Sequence, residues 1–397
     1  MWTGRGSAWF GTVASYWPVT SRPDASDREG AVVTRVELRT TAMAVGGEAI
    51  AREASGRVVF VAGALPDETV LVELSDERKS FARGVAVDVL DPAPDRVEPP
   101  CDHVAEGCGG CDWQHAAVGA QHQIRRDLVA EVLARAGGVA SPQVAAGPAL
   151  ASTGLRTTVR GVADESGRFG FRRRRSHEVV AADGCLIAHP DVAEIIAASS
   201  FAPGSSVMIR VGARTGEAMV VVGPDLSGAR VPDGVIAVGE NELEGGRRVW
   251  LHEEVAGRRW RISARSFFQA SPEGAEALVL AVPPGTDPHA PDARRLVDLC
   301  SGVALFAGTV GRGRSVVGVE RSAAAVADAR HNLSDQDVRL IKVALARWRP
   351  SPADVVVADP ARRGLGDEGV SAVVGTAAPL CMLVSCDPAA LGRDCLL

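Results

Sequence analysis

The chain has 397 residues, 46% hydrophobic and 23% charged, with a formal net charge of −6; it is too long for one ordinary domain and apolar enough to bury more than one core. The acidic balance excludes a nucleic acid held by the protein's overall field, so such a partner needs a local basic patch. No run approaches the ~18 apolar residues of a membrane span, and eight cysteines are too sparse for a secreted disulfide scaffold; a soluble, cytoplasmic protein with no membrane partner is expected.

Residues 1–33 hold Trp2, Trp9, Trp17 and Tyr16, the only tyrosine, and lack the features of a signal peptide. They are read as a disordered extension or as a start site placed too early. From 34 to 94, short apolar runs such as Val58-Val59-Phe60-Val61 and Thr69-Val70-Leu71-Val72 are separated by Gly, Pro and Asp. This pattern predicts a small closed β-barrel. Asp91-Pro92-Ala93-Pro94-Asp95 reads as a linker.

A second region, 95–259, opens with three cysteines and a helical spacing from Gln121 to Ala136 (Ile124, Leu128, Val132, Leu133) that stops at Gly137-Gly138. Apolar segments alternating with glycine turns follow, so this region is expected to be β-rich. From 260 to 397 the rhythm becomes strand, helix, strand: Leu296 to Leu299, Ser315 to Glu320, an alanine-rich helix from Ser322 to Leu333, then Asp354 to Ala358. That alternation predicts an α/β fold, a parallel sheet with crossover helices.

Four groups of residues carry chemistry. Cys101, Cys108 and Cys111, with Cys185 far downstream, suit either a 4Fe-4S cluster or a structural zinc. Arg172, Arg173, Arg174 and Arg175 offer charge for several phosphates, and Phe169 and Phe171 beside them offer stacking surfaces for unpaired bases. Asp298-Leu299-Cys300-Ser301-Gly302 follows a strand and opens a helix, the setting of a nucleotide-like cofactor, and Glu320 at the next strand end suits a ribose diol. Cys386, in Ser385-Cys386-Asp387-Pro388 after the apolar run Leu380 to Val384, reads as a nucleophile presented at a strand end. Cys300, Cys381 and Cys395 are expected to be buried as small apolar side chains.

In order, Gly46-Gly47-Glu48-Ala49-Ile50, the cysteine set with Trp113-Gln114-His115, Ser266-Phe267-Phe268-Gln269, the Asp298 loop, Asp359-Pro360-Ala361-Arg362 and Ser385-Cys386-Asp387-Pro388 resemble the RNA (uracil-5-)-methyltransferase family over roughly residues 34–397. The resemblance implies a Rossmann-like S-adenosylmethionine methyltransferase domain preceded by a TRAM-like barrel and a β-rich central region. It further implies that Gln269, Cys300, Leu305, Glu320 and Asp359 contact S-adenosyl-L-methionine. By the same carry-over Cys101, Cys108, Cys111 and Cys185 hold a 4Fe-4S cluster, and Cys386 is the nucleophile that adds to uracil C6. Ribosomal RNA is favoured over transfer RNA as substrate.

Cys300, Ala304 and Leu305 depart from the aromatic residue, second glycine and polar residue usual in the family's cofactor loop. The family also continues past its cysteine to a glutamate that acts as the final base, so a chain ending at Leu397 is expected to be truncated, with an incomplete sheet, and to release product poorly. Asp387 and Asp394 are the nearby carboxylates, and neither is expected to substitute. The alternative is a catalytically inactive iron-sulfur RNA-binding protein; a third reading is a zinc-stabilised nucleic-acid module.

Overall fold

The structure, a computed structural model, describes residues 34–174, 176–282 and 294–397; the expected extension, 1–33, lies outside the described residues. The chain divides into two compact units, one reaching Glu131 and including Arg173–His177, the other comprising Val132–Arg172 and Glu178–Leu397.

In the first unit, β1 (Arg35–Met43), β2 (Ala49–Arg52), β3 (Val58–Ala62), β4 (Thr69–Glu77) and β5 (Phe81–Asp91) close into a barrel. Alternation sends Val59, Val61, Val70 and Val72 inward to full burial. Gly84 is required where β5 crosses β4, because a Cβ there would strike the Glu73 backbone. The buried Glu68 carboxylate accepts hydrogen bonds from the Leu65 and Ala93 amides and from Arg96, which ties the barrel to the segment after it. Helix α1 (Val118–Arg135) sets Ile124 and Leu128 against the barrel core.

The second unit holds a six-stranded sheet of β6 (Thr158–Ala163), β7 (Phe169–Arg172), β8 (Val179–Ala181), β9 (Ser206–Val211), β10 (Ala218–Gly223) and β11 (Ile236–Gly239), ordered β11-β10-β9-β6-β7-β8. Helix α2 (Pro190–Ala198) covers it through Val192, Ile195 and Ile196. Helix α3 (Glu240–Glu244) leads to a hairpin of β12 (Trp250–Val255) and β13 (Arg258–Ser263), then to α4 (Pro272–Ala281).

The chain then alternates through β14 (Arg295–Leu299), α5 (Leu305–Gly308), β15 (Ser315–Glu320), α6 (Ala323–Asn332), β16 (Val338–Lys342), β17 (Val355–Ala358), α7 (Gly366–Val374), β18 (Leu380–Leu383) and α8 (Pro388–Leu396). These five strands form the expected parallel sheet, ordered β16-β15-β14-β17-β18.

The compact units cross the expected boundaries at 94 and 259. The reason is packing: the cysteine-bearing segment and the start of α1 belong with the barrel, whereas Met208, Met219 and Val221 share one apolar core with Leu251, Trp260, Val303 and Leu305. No described helix is long and apolar enough to cross a membrane.

Candidate active site

The parallel sheet reverses its winding between β14 and β17, since the chain proceeds from β14 outward through β15 and β16 and returns to β17 on the other side. Ligands of open α/β sheets lie beyond the carboxyl ends of the strands at such a point. Asp298 on β14 and Asp359 just after β17 flank it.

Beyond β14 the backbone turns through left-handed positions at Cys300 (φ 58°), Gly302 (φ 55°) and Ala304 (φ 74°) to reach α5. Asp298 is fully buried; its Oδ2 accepts from the Ala307 amide at 2.9 Å, while its Oδ1 and the Ser301 hydroxyl are buried without a partner. Two such atoms in one turn leave hydrogen-bonding capacity for a ligand. Glu320, at the end of β15, accepts from the Gly302 amide at 3.1 Å and the Ser322 amide at 2.6 Å. These bonds hold the turn against the neighbouring strand.

Gln269 Nε2 donates to Asp359 Oδ2 at 3.2 Å. Gln269 is placed by the segment before it: Ser266 Oγ and Ser263 Oγ donate to the buried Asp328 of α6 at 2.6 and 2.7 Å. Burial pushes Asp359 up to about 7. It pushes Asp298 up to about 8, with Asp359 and Glu320 adding repulsion. The Cys300 thiol is pushed up to about 12 by burial and then by the same three carboxylates.

Cys386 follows β18, which pairs with β17 so that Leu383 stands opposite Ala358. Asp387 caps α8 by accepting from the Ala390 amide at 3.0 Å. Burial raises the half-buried Cys386 thiol; Arg362 opposes this, and Asp359 and Asp387 reinforce it. The structure therefore brings Gln269, Cys300, Glu320, Asp359 and Cys386 into one neighbourhood with Asp298.

Other expectations differ. Leu305 is buried in the core with Trp260 and Val303, so its side chain is committed to packing. Phe169 is wholly buried in the core beneath β7, in an edge-to-face pair with Phe171 at 5.4 Å, and presents no stacking surface. Cys395 is exposed rather than buried, because it lies on the outer side of α8.

Arg172, Arg173 and Arg174 are exposed, and Arg175 lies outside the described residues. Arg173 bridges to Cys108 through the backbone, and the Arg174 guanidinium pairs with Asp112. Arg173 and Arg174 are thus joined to the cysteine segment.

Cys101, Cys108 and Cys111 are half-buried in the first unit and Cys185 in the second. Among the described residues no three His, Cys, Asp or Glu side chains form a group that could hold a metal ion. Spacing is a property of the chain, but convergence of thiols is a tertiary property. The same segment does leave three buried polar atoms unpartnered: His103 Nε2, Gln114 Oε1 and His115 Nε2.

Arg362, Ser301 and Asp328 were not among the residues expected to form the site. Arg362 and Ser301 stand inside recognised motifs, which is a signal, whereas Asp328 on its helix carries none.

No protein-family model matches the chain. An RNA methyltransferase of Streptomyces avermitilis, described as uncharacterized, is 37% identical over 393 residues, 90% of each chain. The 23S rRNA (uracil(1939)-C(5))-methyltransferase RlmD of Halomonas elongata is 29% identical over 94% of this chain and 85% of its own. The chain belongs to the RNA (uracil-5-)methyltransferase family. The fold agrees: the crystal structure of Pyrococcus abyssi tRNA (uracil-54, C5)-methyltransferase in complex with S-adenosyl-L-homocysteine matches with a TM-score of 0.66 over 90% of this chain and 92% of that one, at 20% identity. For an RNA (uracil-5-)methyltransferase, a thiol beside one buried and two half-buried carboxylates at the strand ends is the arrangement to explain.

Proposed function

We propose that this RNA (uracil-5-)methyltransferase transfers a methyl group from S-adenosyl-L-methionine to C5 of a uridine in RNA, with Cys386 as the covalent nucleophile. The observation that carries the reading is that Cys386, Asp359 and Gln269 share the carboxyl ends of β17 and β18. In this reading Asp298 Oδ1, the Ser301 hydroxyl and Glu320 receive the methyl donor along the β14 turn, and Gln269 and Asp359 close the pocket beside it. The donor supplies an electrophilic sulfonium methyl.

Uracil C5 is too weak a nucleophile to take that methyl unaided. The Cys386 thiolate adds to C6, and the displaced electron pair makes C5 enolate-like. C5 then takes the methyl group, a base removes the C5 proton, and the returning pair expels the thiolate. One difficult step becomes two easier ones. Asp394 and Asp387 both accept hydrogen bonds from backbone amides, so neither is assigned as that base.

The target uridine must leave its stack to meet a thiol at the strand ends, which favours an unpaired region. Ribosomal RNA is the favoured class because RlmD of Halomonas elongata carries that substrate in its name at 29% identity; Arg172, Arg173 and Arg174 are assigned to phosphate contacts. Cys101, Cys108, Cys111 and Cys185 are proposed as 4Fe-4S ligands on the strength of their sequence pattern. Iron and acid-labile sulfide in anaerobically purified protein support that assignment; a colourless, iron-free protein overturns it.

The test of the reaction is trapping. RNA bearing 5-fluorouridine cannot lose its C5 substituent as a proton, so with methyl donor it should remain attached to the protein through denaturation. Cys386→Ala should abolish the adduct. Persistence of the adduct in that variant removes Cys386 from the chemistry.

A further inference from the structure

We propose that Asp394, in the last turn of α8, is a positioning residue that holds Arg362 beside the Cys386 thiol by clamping the loop formed by residues 362–366. The inference rests on Cys386 being the nucleophile, and it concerns how that thiol is kept reactive.

The Asp394 side chain is almost wholly buried, 1% exposed. A buried carboxylate is costly unless its oxygens are satisfied, and here the partners come from the loop. Asp394 Oδ2 accepts from the Leu365 amide at 2.6 Å and Oδ1 from the Gly366 amide at 3.1 Å. These are the first amides of α7, where backbone N–H groups point outward without helical partners and favour negative charge. Arg393 adds a bond to Asp394 Oδ1 at 3.1 Å and another to the Arg363 carbonyl. Gly364 takes a left-handed φ of 77°, and a Cβ there would collide with the Asp394 carboxylate. Loop and carboxylate are therefore in direct contact.

The other end of α8 grips the same loop. Asp387 accepts from the Ala390 amide and, through Oδ2, from Arg362 Nε at 3.5 Å. Cys386 is the residue immediately before that cap. A closed circuit results: Asp387, next to Cys386, caps α8, α8 carries Asp394, Asp394 fixes residues 365 and 366, and the loop returns Arg362 to Asp387. Burial, Asp359 and Asp387 disfavour the Cys386 thiolate, while Arg362 favours it. Loosening the loop removes the favourable contribution and leaves the unfavourable ones, a consequence that a purely structural carboxylate would not have.

The test needs neither RNA nor methyl donor: the rate of Cys386 alkylation by iodoacetamide is followed against pH by mass spectrometry of the Cys386 peptide in the full chain. Arg362→Gln should raise the pH midpoint by about one unit, the size expected when an adjacent opposite charge is lost. Asp394→Asn should raise it in the same direction, and the double variant should go no further than Arg362→Gln alone. Arg393 is half-exposed, so Arg393→Gln, expected to fold even if Asp394→Asn does not, should give a smaller shift of the same sign. An unchanged midpoint in Arg393→Gln and Asp394→Asn, or additive shifts in the double variant, overturns the proposal. Failure of the 5-fluorouridine trap is a separate result: it would refute Cys386 as nucleophile without altering these midpoints.

Discussion

Asp298 is a fully buried carboxylate and Asp359 a half-buried one, and burial is the first cause of both elevated values, about 8 and about 7. Because the folded form binds the proton more tightly than an unfolded chain with a carboxylate near 4, these residues contribute stability at low pH that is lost as pH rises through the folded values. The ligand-free protein should therefore lose stability between about pH 4 and pH 8. Asp298→Asn should melt close to the wild type at pH 5 and at a higher temperature at pH 8; thermal melts across that range check it, and a gap independent of pH refutes it. The same substitution should weaken methyl-donor binding by calorimetry, because it changes the group facing the β14 turn. Glu320, Asp359 and Cys386 could be singled out in the sequence because each stands at or just after the end of an apolar run, and the structure places them there; the raised pKa of Asp298 could not, because it depends on how many neighbours exclude water.

At the scale of elements, the connection from β14 to α5 is where the sequence pattern and the backbone conflict. Ala304 sits at φ 74° with no exposed surface, a conformation that costs a non-glycine residue about 1–2 kcal/mol. Glycine would relieve that strain while increasing the freedom of the unfolded chain by about 0.4–1 kcal/mol. Ala304→Gly should accordingly stabilise the protein by somewhat under about 1 kcal/mol in denaturant melts; a loss of stability would show that the Ala304 methyl packs better than this accounting allows. Four residues on, Gly308 faces the Trp260 ring and Leu333 with no room for a Cβ. Gly308→Ala should cost about 1–3 kcal/mol by overpacking, measured in the same melts. Strand, turn and helix were readable here from the apolar run and the small residues after it. The left-handed turns at Cys300 and Ala304 were not, because neither residue type announces them.

Over the whole molecule, a net charge of −6 makes RNA binding depend on local cations. Arg172, Arg173 and Arg174 are exposed. Replacing Arg172 or Arg173 by Gln should weaken RNA binding similarly for different sequences and reduce the slope of log affinity against log salt by up to about 0.7 each. Titrations at several salt concentrations distinguish these outcomes; an undiminished slope in the Arg172 and Arg173 variants would take the run out of the RNA contact.

The sequence alone determined the barrel, the parallel sheet, the family and most of the residues at the strand ends, because alternation, strand-helix rhythm and short motifs are local or ordered along the chain. Only the tertiary structure decided that Leu305 and Phe169 belong to cores, that the cysteine segment joins the barrel unit, and that Asp394 reaches back 29 residues to Leu365 in the loop bearing Arg362. Burial, convergence and shared hydrogen bonds are relations between distant segments, and no single stretch of chain contains them.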